Sequence, residues 1–382
     1  MRDLSKLRPT VISAVVVVAA ALAVIGAAGA GNGSRDKTDL TAGAVYAMTN
    51  DAAGNEVLAY ERDDDGSLSL QGTYSTGGEG TSRIRLSSQG SVVLTDDGQR
   101  LLVANVGSSE ISVFDVRRNS LKLRSIVGSG GSTPNSITVR GDLVYVLNNG
   151  LTGLGNITGF RLTDKSALVP IAGSTRSLSI AGSDPAEVSF TPDGDSLVVT
   201  EKATNRILTW SVGADSLPFG REVHDSAGVT PFGFDFTRDG TFVVTNAEQG
   251  TVGAATASSY TLDGGFRTIS GSVPDFRSEV CWTVISKDQR FAYITNFGDG
   301  TISSYTIAGD GSIALHESIA ATTTLGQLSI RDADRSEDGR YLYAIDITSR
   351  MVHGWTIEDD GSLTSIGAFP GLPGTVAGLA AR

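Results

Sequence analysis

A unit that recurs about every 45 to 50 residues limits what this chain can become more than any other feature of the sequence. Its clearest copy runs from Asp184 to Val212. PAEVSF alternates small or polar with apolar residues, TPDG is a turn, SLVVTE is rich in β-formers, ATN is a second turn, and RILTWSV alternates again. The period is two rather than 3.6, so the unit is a run of short strands and not a helical repeat. A fourth strand is predicted at Gly220 to Ser226, and the pattern restarts at Thr230 with TPFGFDFTRDG.

The turn that ends the first strand recurs at Asp97-Gly98, Gly141-Asp142, Asp193-Gly194, Asp239-Gly240, Asp288-Gln289 and Asp338-Gly339, which makes six full copies. A partial copy precedes them: Val45 to Asn50, Glu56 to Glu61 and Leu68 to Tyr74 match strands two, three and four. The missing first strand stands at the other end of the chain, in PGTVAGLAAR from Pro373 to Arg382. The expected fold is all-β: a seven-bladed propeller of four-stranded antiparallel blades over residues 43–382, its first blade closed by Thr375 to Ala381. A closed ring leaves only short, protected strand edges, which makes so many short strands compatible with a soluble protein. The Asp, Asn and Gly residues of the turns, and the DDDG at Asp63 to Gly66, are read as turn chemistry in preference to calcium ligands.

The length of 382 residues would suggest two domains, but the repeat overrides that prior. One cysteine, Cys281, excludes an internal disulfide and argues against a cysteine-based zinc site. The net charge of −12 with no basic block argues against nucleic acid as a partner. The N-terminus differs from the rest: Arg2, Lys6 and Arg8 precede an apolar run from Val11 to Ala30 that ends in Ala28-Gly29-Ala30. That is the make-up of a secretory signal peptide, or of a membrane anchor if uncleaved, with residues 31–42 as a flexible linker. Both versions place the ring outside the cytoplasm, and the membrane is a partner only through this segment. The ring itself is expected to be a monomer.

In this register the Asp-Gly turns share one face. The lead-in to each first strand and the loop joining strands two and three share the other, and there the long segments fall: Thr76 to Gln89, Gly173 to Asp184, Ser270 to Val280, Thr322 to Arg331, Asn148 to Asn156 and Asn246 to Ser258. Long loops on a rigid scaffold are where binding concentrates. The polar residues placed around that mouth are Arg85, Gln89, Asn135, Glu187, Glu201, Glu248, Arg331 and Asp332, with Trp282 as an aromatic wall. For each the alternative is a solvated loop residue or a bridge between blades. His224 and His316 fall on outermost strands and His353 on a third strand, which disfavours a Ser-His-Asp or His-metal mechanism.

Segments such as NVGSSEISVF, VYVLNNG, GNITGFRL, LVVTEKATNRI and GTISSYTIAGDGSI, with the C-terminal closing strand, resemble the seven-bladed lactonase superfamily of bacterial 6-phosphogluconolactonase and fungal carboxymuconate cyclase. The resemblance spans about residues 43–382 and is nearest to the exported, lactonase-like branch. It implies a site of His, Arg and Glu at the channel mouth. By offset from the turns the family's histidine positions are Ala186 and Phe232 here, with Asn135 near the same place in blade 3. The arginine opening the last blade matches Arg331, and Glu248 approximates the end of a family second strand.

The expected activity is ring opening of a small lactone, or closure of an unsaturated acid, with no metal or cofactor. Arg331, with Arg85 as a second cation, would stabilise the carbonyl oxygen as it gains charge, and Glu201 or Glu248 would direct water. The other reading is a non-catalytic propeller that binds a ligand, polysaccharide or protein partner. Whether Arg331, Glu201 and Glu248 share one closed pocket discriminates between the two.

Overall fold

The computed structural model describes residues 43–83, 86–118 and 120–382; the expectations for residues 1–42 and for Arg85 lie outside these. Seven antiparallel sheets are arranged as the blades of a ring. Blade 4 shows the unit as the sequence spells it: Pro185–Phe190, Ser196–Glu201, Arg206–Val212 and Pro218–Asp225, paired in that order. Burial falls from the axis outward. In blade 6, Val280–Ile285 and Phe291–Asn296 are buried throughout, whereas the outer strand Ile313–Thr322 alternates with exposed positions. Strands covered on both faces can be apolar at every position, and only the outer strand needs period two.

Blade 1 is closed by both ends of the chain. Ala377–Ala381 pairs with Ala44–Met48 in the register Val45↔Ala381, Tyr46↔Ala380, Ala47↔Leu379 and Met48↔Ala377. The ladder begins two residues later than expected, and Thr375 is attached instead by its hydroxyl, which donates to Thr49 O at 2.7 Å.

Two of the segments read as loops contribute to outer strands. Ser270 to Pro274 belongs to the outer strand Arg267–Pro274 of blade 5. In blade 3 the outer edge is split into Leu168–Pro170 and Arg176–Ala181, both paired with Leu154–Leu162, so this sheet has five strands. Ser174 fills the break: its hydroxyl accepts the N–H of Gly159 at 3.0 Å and donates to Ile171 O at 2.7 Å, replacing ladder bonds the interrupted strand cannot make.

The repeated turns share one geometry. Gly98, Gly194, Gly240 and Gly339 have φ of 63°, 82°, 88° and 79°, and Gln289 takes the same place at 68°. The preceding hydroxyl donates to the turn aspartate, as in Thr95 to Asp97 at 2.6 Å and Ser286 to Asp288 at 2.6 Å. These carboxylates are thus engaged by the turn itself.

The core lies between blades. Each interface has its own apolar cluster, such as Tyr46, Val103 and Phe114 between blades 1 and 2 or Tyr60, Tyr343 and Leu379 between blades 7 and 1. A further cluster of Ala186, Phe232, Cys281, Trp282 and Phe297 comes from blades 4, 5 and 6 around the axis. Polar side chains on the inner strands join neighbouring blades: Glu187 accepts the N–H of Phe234 at 2.7 Å, Asp235 that of Ile285 at 2.8 Å, and Asp334 that of Ala381 at 2.8 Å.

Candidate functional site

Two cavities are associated with the inner strands. A mouth chamber of about 230 Å³ opens on the face opposite the Asp-Gly turns, and a lower channel of about 420 Å³ reaches the turn face at Asp96 and Gly98. Gln89 accounts for their separation. From the lead-in of blade 2 it extends to blades 5 and 6, donating to Phe234 O at 3.2 Å and Thr283 O at 3.1 Å while accepting the N–H of Thr283 at 3.1 Å. Gly233 makes room for it, since a Cβ there would stand 2.1 Å from the Gln89 Oε1.

The chamber is walled by Phe232, Trp282 and Phe297 and carries charge at Arg331, Lys202 and Glu279. Arg331 opens the innermost strand Ile330–Arg335 of blade 7, is 2% exposed, donates from Nη1 to Val376 O at 3.2 Å and lies over the Phe297 ring, 5.5 Å from its centroid. Lys202 follows the second strand of blade 4. Its ammonium donates to Ser87 O at 2.7 Å and Pro185 O at 3.3 Å and stands 3.4 Å from Asp184, which leaves it a source of field more than a donor. Burial pushes its pKa below the ordinary lysine value, partly countered by Asp184. Glu279 sits at φ 50° in the lead-in of blade 6, and Cys281 two residues on donates its thiol to Glu279 O at 3.4 Å.

Of the residues predicted from sequence, Arg331 and Trp282 meet in the chamber. Gln89, Glu187 and Asp332 line the lower channel, which Trp282 also reaches. There Asp332 is pushed up to about 6 by burial, an effect opposed by the N–H of Gly378 and by Arg331; burial raises Glu187 well above the usual carboxylate range. Asn135 bridges blades by donating to Pro185 O at 2.9 Å.

The two acids proposed to work with Arg331 line neither cavity. Glu201 occupies the last position of the second strand, held by buried Asn105, Asn148, Asn246 and Asn296 in other blades. It does the same structural work: Oε1 accepts the N–H of Ser179 at 2.9 Å, and Oε2 accepts the hydroxyls of Ser179 and Thr204. Glu248 accepts the N–H of Val229 at 3.2 Å and the Thr256 hydroxyl at 3.1 Å, bracing the lead-in of blade 5.

Lys202, Glu279, Phe232 and Phe297 were missed as site residues. The repeat offered a signal for Phe232, since it fills a family histidine position, and Glu279 lies in a segment already marked as long. Nothing in the sequence distinguishes Lys202 from a surface lysine. Among the described residues, no cluster of three or more His, Cys, Asp or Glu is placed to hold a metal.

Residues 46–169 match the family model described as Lactonase, 7-bladed beta-propeller. No curated protein matches. Among solved structures, a 6-phosphogluconolactonase candidate from Bacteroides fragilis NCTC 9343 superposes with a TM-score of 0.69 at 17% identity, over 91% of this chain and 100% of that one. The periplasmic gluconolactonase of Pseudomonas aeruginosa gives 0.67 at 16%, over 88% and 99%. A protein from Lactobacillus plantarum gives 0.71 at 14%, over 89% and 99%. The family model covers blades 1 to 3 and these neighbours share the fold, so the chain is a seven-bladed β-propeller whose first three blades resemble those of the lactonase family.

Proposed function

We propose that the mouth chamber binds a small lactone and opens it by hydrolysis. The observation that carries this reading is the placement of the Arg331 guanidinium and the Glu279 carboxylate in one aromatic-walled cavity. In the reaction Glu279 accepts a proton as water attacks the ring carbonyl, Arg331 stabilises the oxygen that gains charge, the ring C–O bond breaks, and the alkoxide takes up the proton to leave a hydroxy acid. The basic start and apolar run of residues 2–30 support export, and for an exported protein a cytosolic sugar phosphate is a poor substrate. The periplasmic gluconolactonase of Pseudomonas aeruginosa, similar in fold, is consistent with an exported lactone-opening propeller.

A second reading, ligand binding without turnover, is favoured by Ala186 and Phe232 at the family's histidine positions. Acid release by the full-length protein over a panel of γ- and δ-lactones separates the two. Arg331→Gln and Glu279→Gln are each expected to lower turnover about 100-fold or more. Absence of turnover on every lactone, or full activity in a folded Glu279→Gln variant, overturns the hydrolytic reading.

A further inference from the structure

Large apolar side chains are exposed beside the chamber, and they follow its walls. Val252 is 87% exposed and comes two residues after Gly250; Phe276 is 59% exposed and comes three before Glu279; Leu328 is 51% exposed and comes three before Arg331. Leu325, 63% exposed, precedes Leu328 in the same lead-in. Hydrogen bonds join these loops into one wall. Gly253 N–H donates to Ser278 Oγ at 3.1 Å, Gly298 N–H to Ser278 O at 3.0 Å, Gly326 N–H to Asp299 O at 2.8 Å and Ser329 N–H to Phe297 O at 3.1 Å. The apolar residues therefore stand on hydrogen-bonded loops of blades 5, 6 and 7 that also carry residues of the chamber wall.

The backbone adds a second observation. Glu248, Gln249, Phe276 and Glu279 lie at φ of 48°, 54°, 64° and 50°, a region that non-glycine residues seldom adopt, and all four are in two of the loops that make this wall. For a bulky ring such as Phe276 that conformation is costly, and such outliers concentrate at ligand sites. Asparagine or glycine would suit the turn better. A phenylalanine held there and left in water is placed for what it will touch.

We propose that the ligand of the chamber is an amphiphile, with a compact oxygenated head beside Arg331 and a flexible alkyl chain laid outward over Val252, Phe276, Leu325 and Leu328. This rests on the chamber being the site proposed above and adds the substrate class: lactones, or their hydroxy acids, bearing an apolar tail. A cavity of about 230 Å³ is below the about 300–1,000 Å³ usual for larger ligands. The head must be small, and the tail must leave through the mouth.

The test uses the full-length protein and a ladder of straight-chain 4-hydroxyalkanoates from four to twelve carbons. These are the ring-opened forms of the γ-lactones and need no turnover to be measured. Binding by calorimetry is expected to tighten roughly twofold for each added methylene, about half of what complete burial gives. In the double variant Val252→Ser with Phe276→Asn, in which asparagine tolerates the left-handed backbone, that slope is expected to fall to below about 1.3-fold per methylene. Affinity independent of chain length in the parent protein, a slope kept by the variant, or equal weakening for every chain length each overturns the tail assignment. Failure of every γ-lactone to be hydrolysed, with the slope present and lost in the variant, would overturn lactone opening and leave the tail assignment standing.

Discussion

Gln89 and Thr283 are joined by a pair of hydrogen bonds in which one side-chain amide faces the backbone N–H and C=O of one residue, donating to the carbonyl at 3.1 Å and accepting the N–H at 3.1 Å. The amide thus acts like a one-residue strand bridging blade 2 to blade 6. Gln89→Ala removes these bonds and the one to Phe234 O, leaving inner-strand groups unpaired. The expected cost is about 2–3 kcal/mol in denaturant unfolding. It should also join the two cavities, and Gly233→Ala should reproduce the effect by displacing Gln89.

Glu201→Ala should destabilise the ring by about 2–3 kcal/mol, because half-buried donors on Ser179 and Thr204 lose a buried carboxylate acceptor. Binding of short hydroxy acids, compared in the folded fraction, should stay within about twofold, since hydrogen-bonding changes of that kind act on stability and not on the chamber. A loss of binding above about tenfold with stability unchanged would return Glu201 to the site.

The pH profile has a predicted sign. Burial raises Asp332 and Asp334 to about 6 in the folded ring, while the unfolded chain titrates near the ordinary 3.8. Between these values the folded state binds more protons, so the contribution of both groups to stability falls as pH rises from about 4 to about 6. Asp338, held down to about 2 chiefly by its Ser336 and Arg340 contacts against a burial penalty, acts in the opposite sense, and its contribution is lost as pH falls from about 4 to about 2. Unfolding free energy should therefore peak near pH 4 to 5. Asp334→Asn should flatten the descending limb, by at most about 3 kcal/mol, and denaturant titrations at pH 4, 5, 6 and 7 would measure it.

Deleting residues 374–382 removes the innermost strand of blade 1, with Val376 and Leu379 from the interface to blade 7 and the Val376 carbonyl that holds Arg331. Losing two such side chains from a packed cluster costs on the order of 5 kcal/mol, before the exposed edge is counted. The truncated chain should melt well below the parent, without a sharp transition, and enter larger species on gel filtration.

The ring was legible because each blade repeats one pattern. The alternation in PAEVSF, the Asp-Gly turns and the surplus strand after Pro373 fix blade number and closure without knowledge of any contact. The site was legible only where a residue's place in the repeat sets its direction, as with Arg331 at the start of an inner strand. Glu201 drew notice by its charge, whereas its position in the repeat, where other blades place a buried asparagine, accounts for the hydrogen bonds it makes to Ser179 and Thr204. Lys202 and Glu279 were beyond reach of the pattern. Their directions depend on loop backbone, including a left-handed Glu279, and loops are where the repeats stop resembling one another.

The pairing of Val45 with Ala381 also fixes an order of events. A ribosome releases Val45 long before Ala381, so blade 1 lacks its inner strand until Ala377–Ala381 has been made, and the ring can shut only after that. Partners so far apart in sequence come together slowly. Until they do, Arg331 lacks the Val376 carbonyl that positions it, and a growing chain carries blades but no finished chamber.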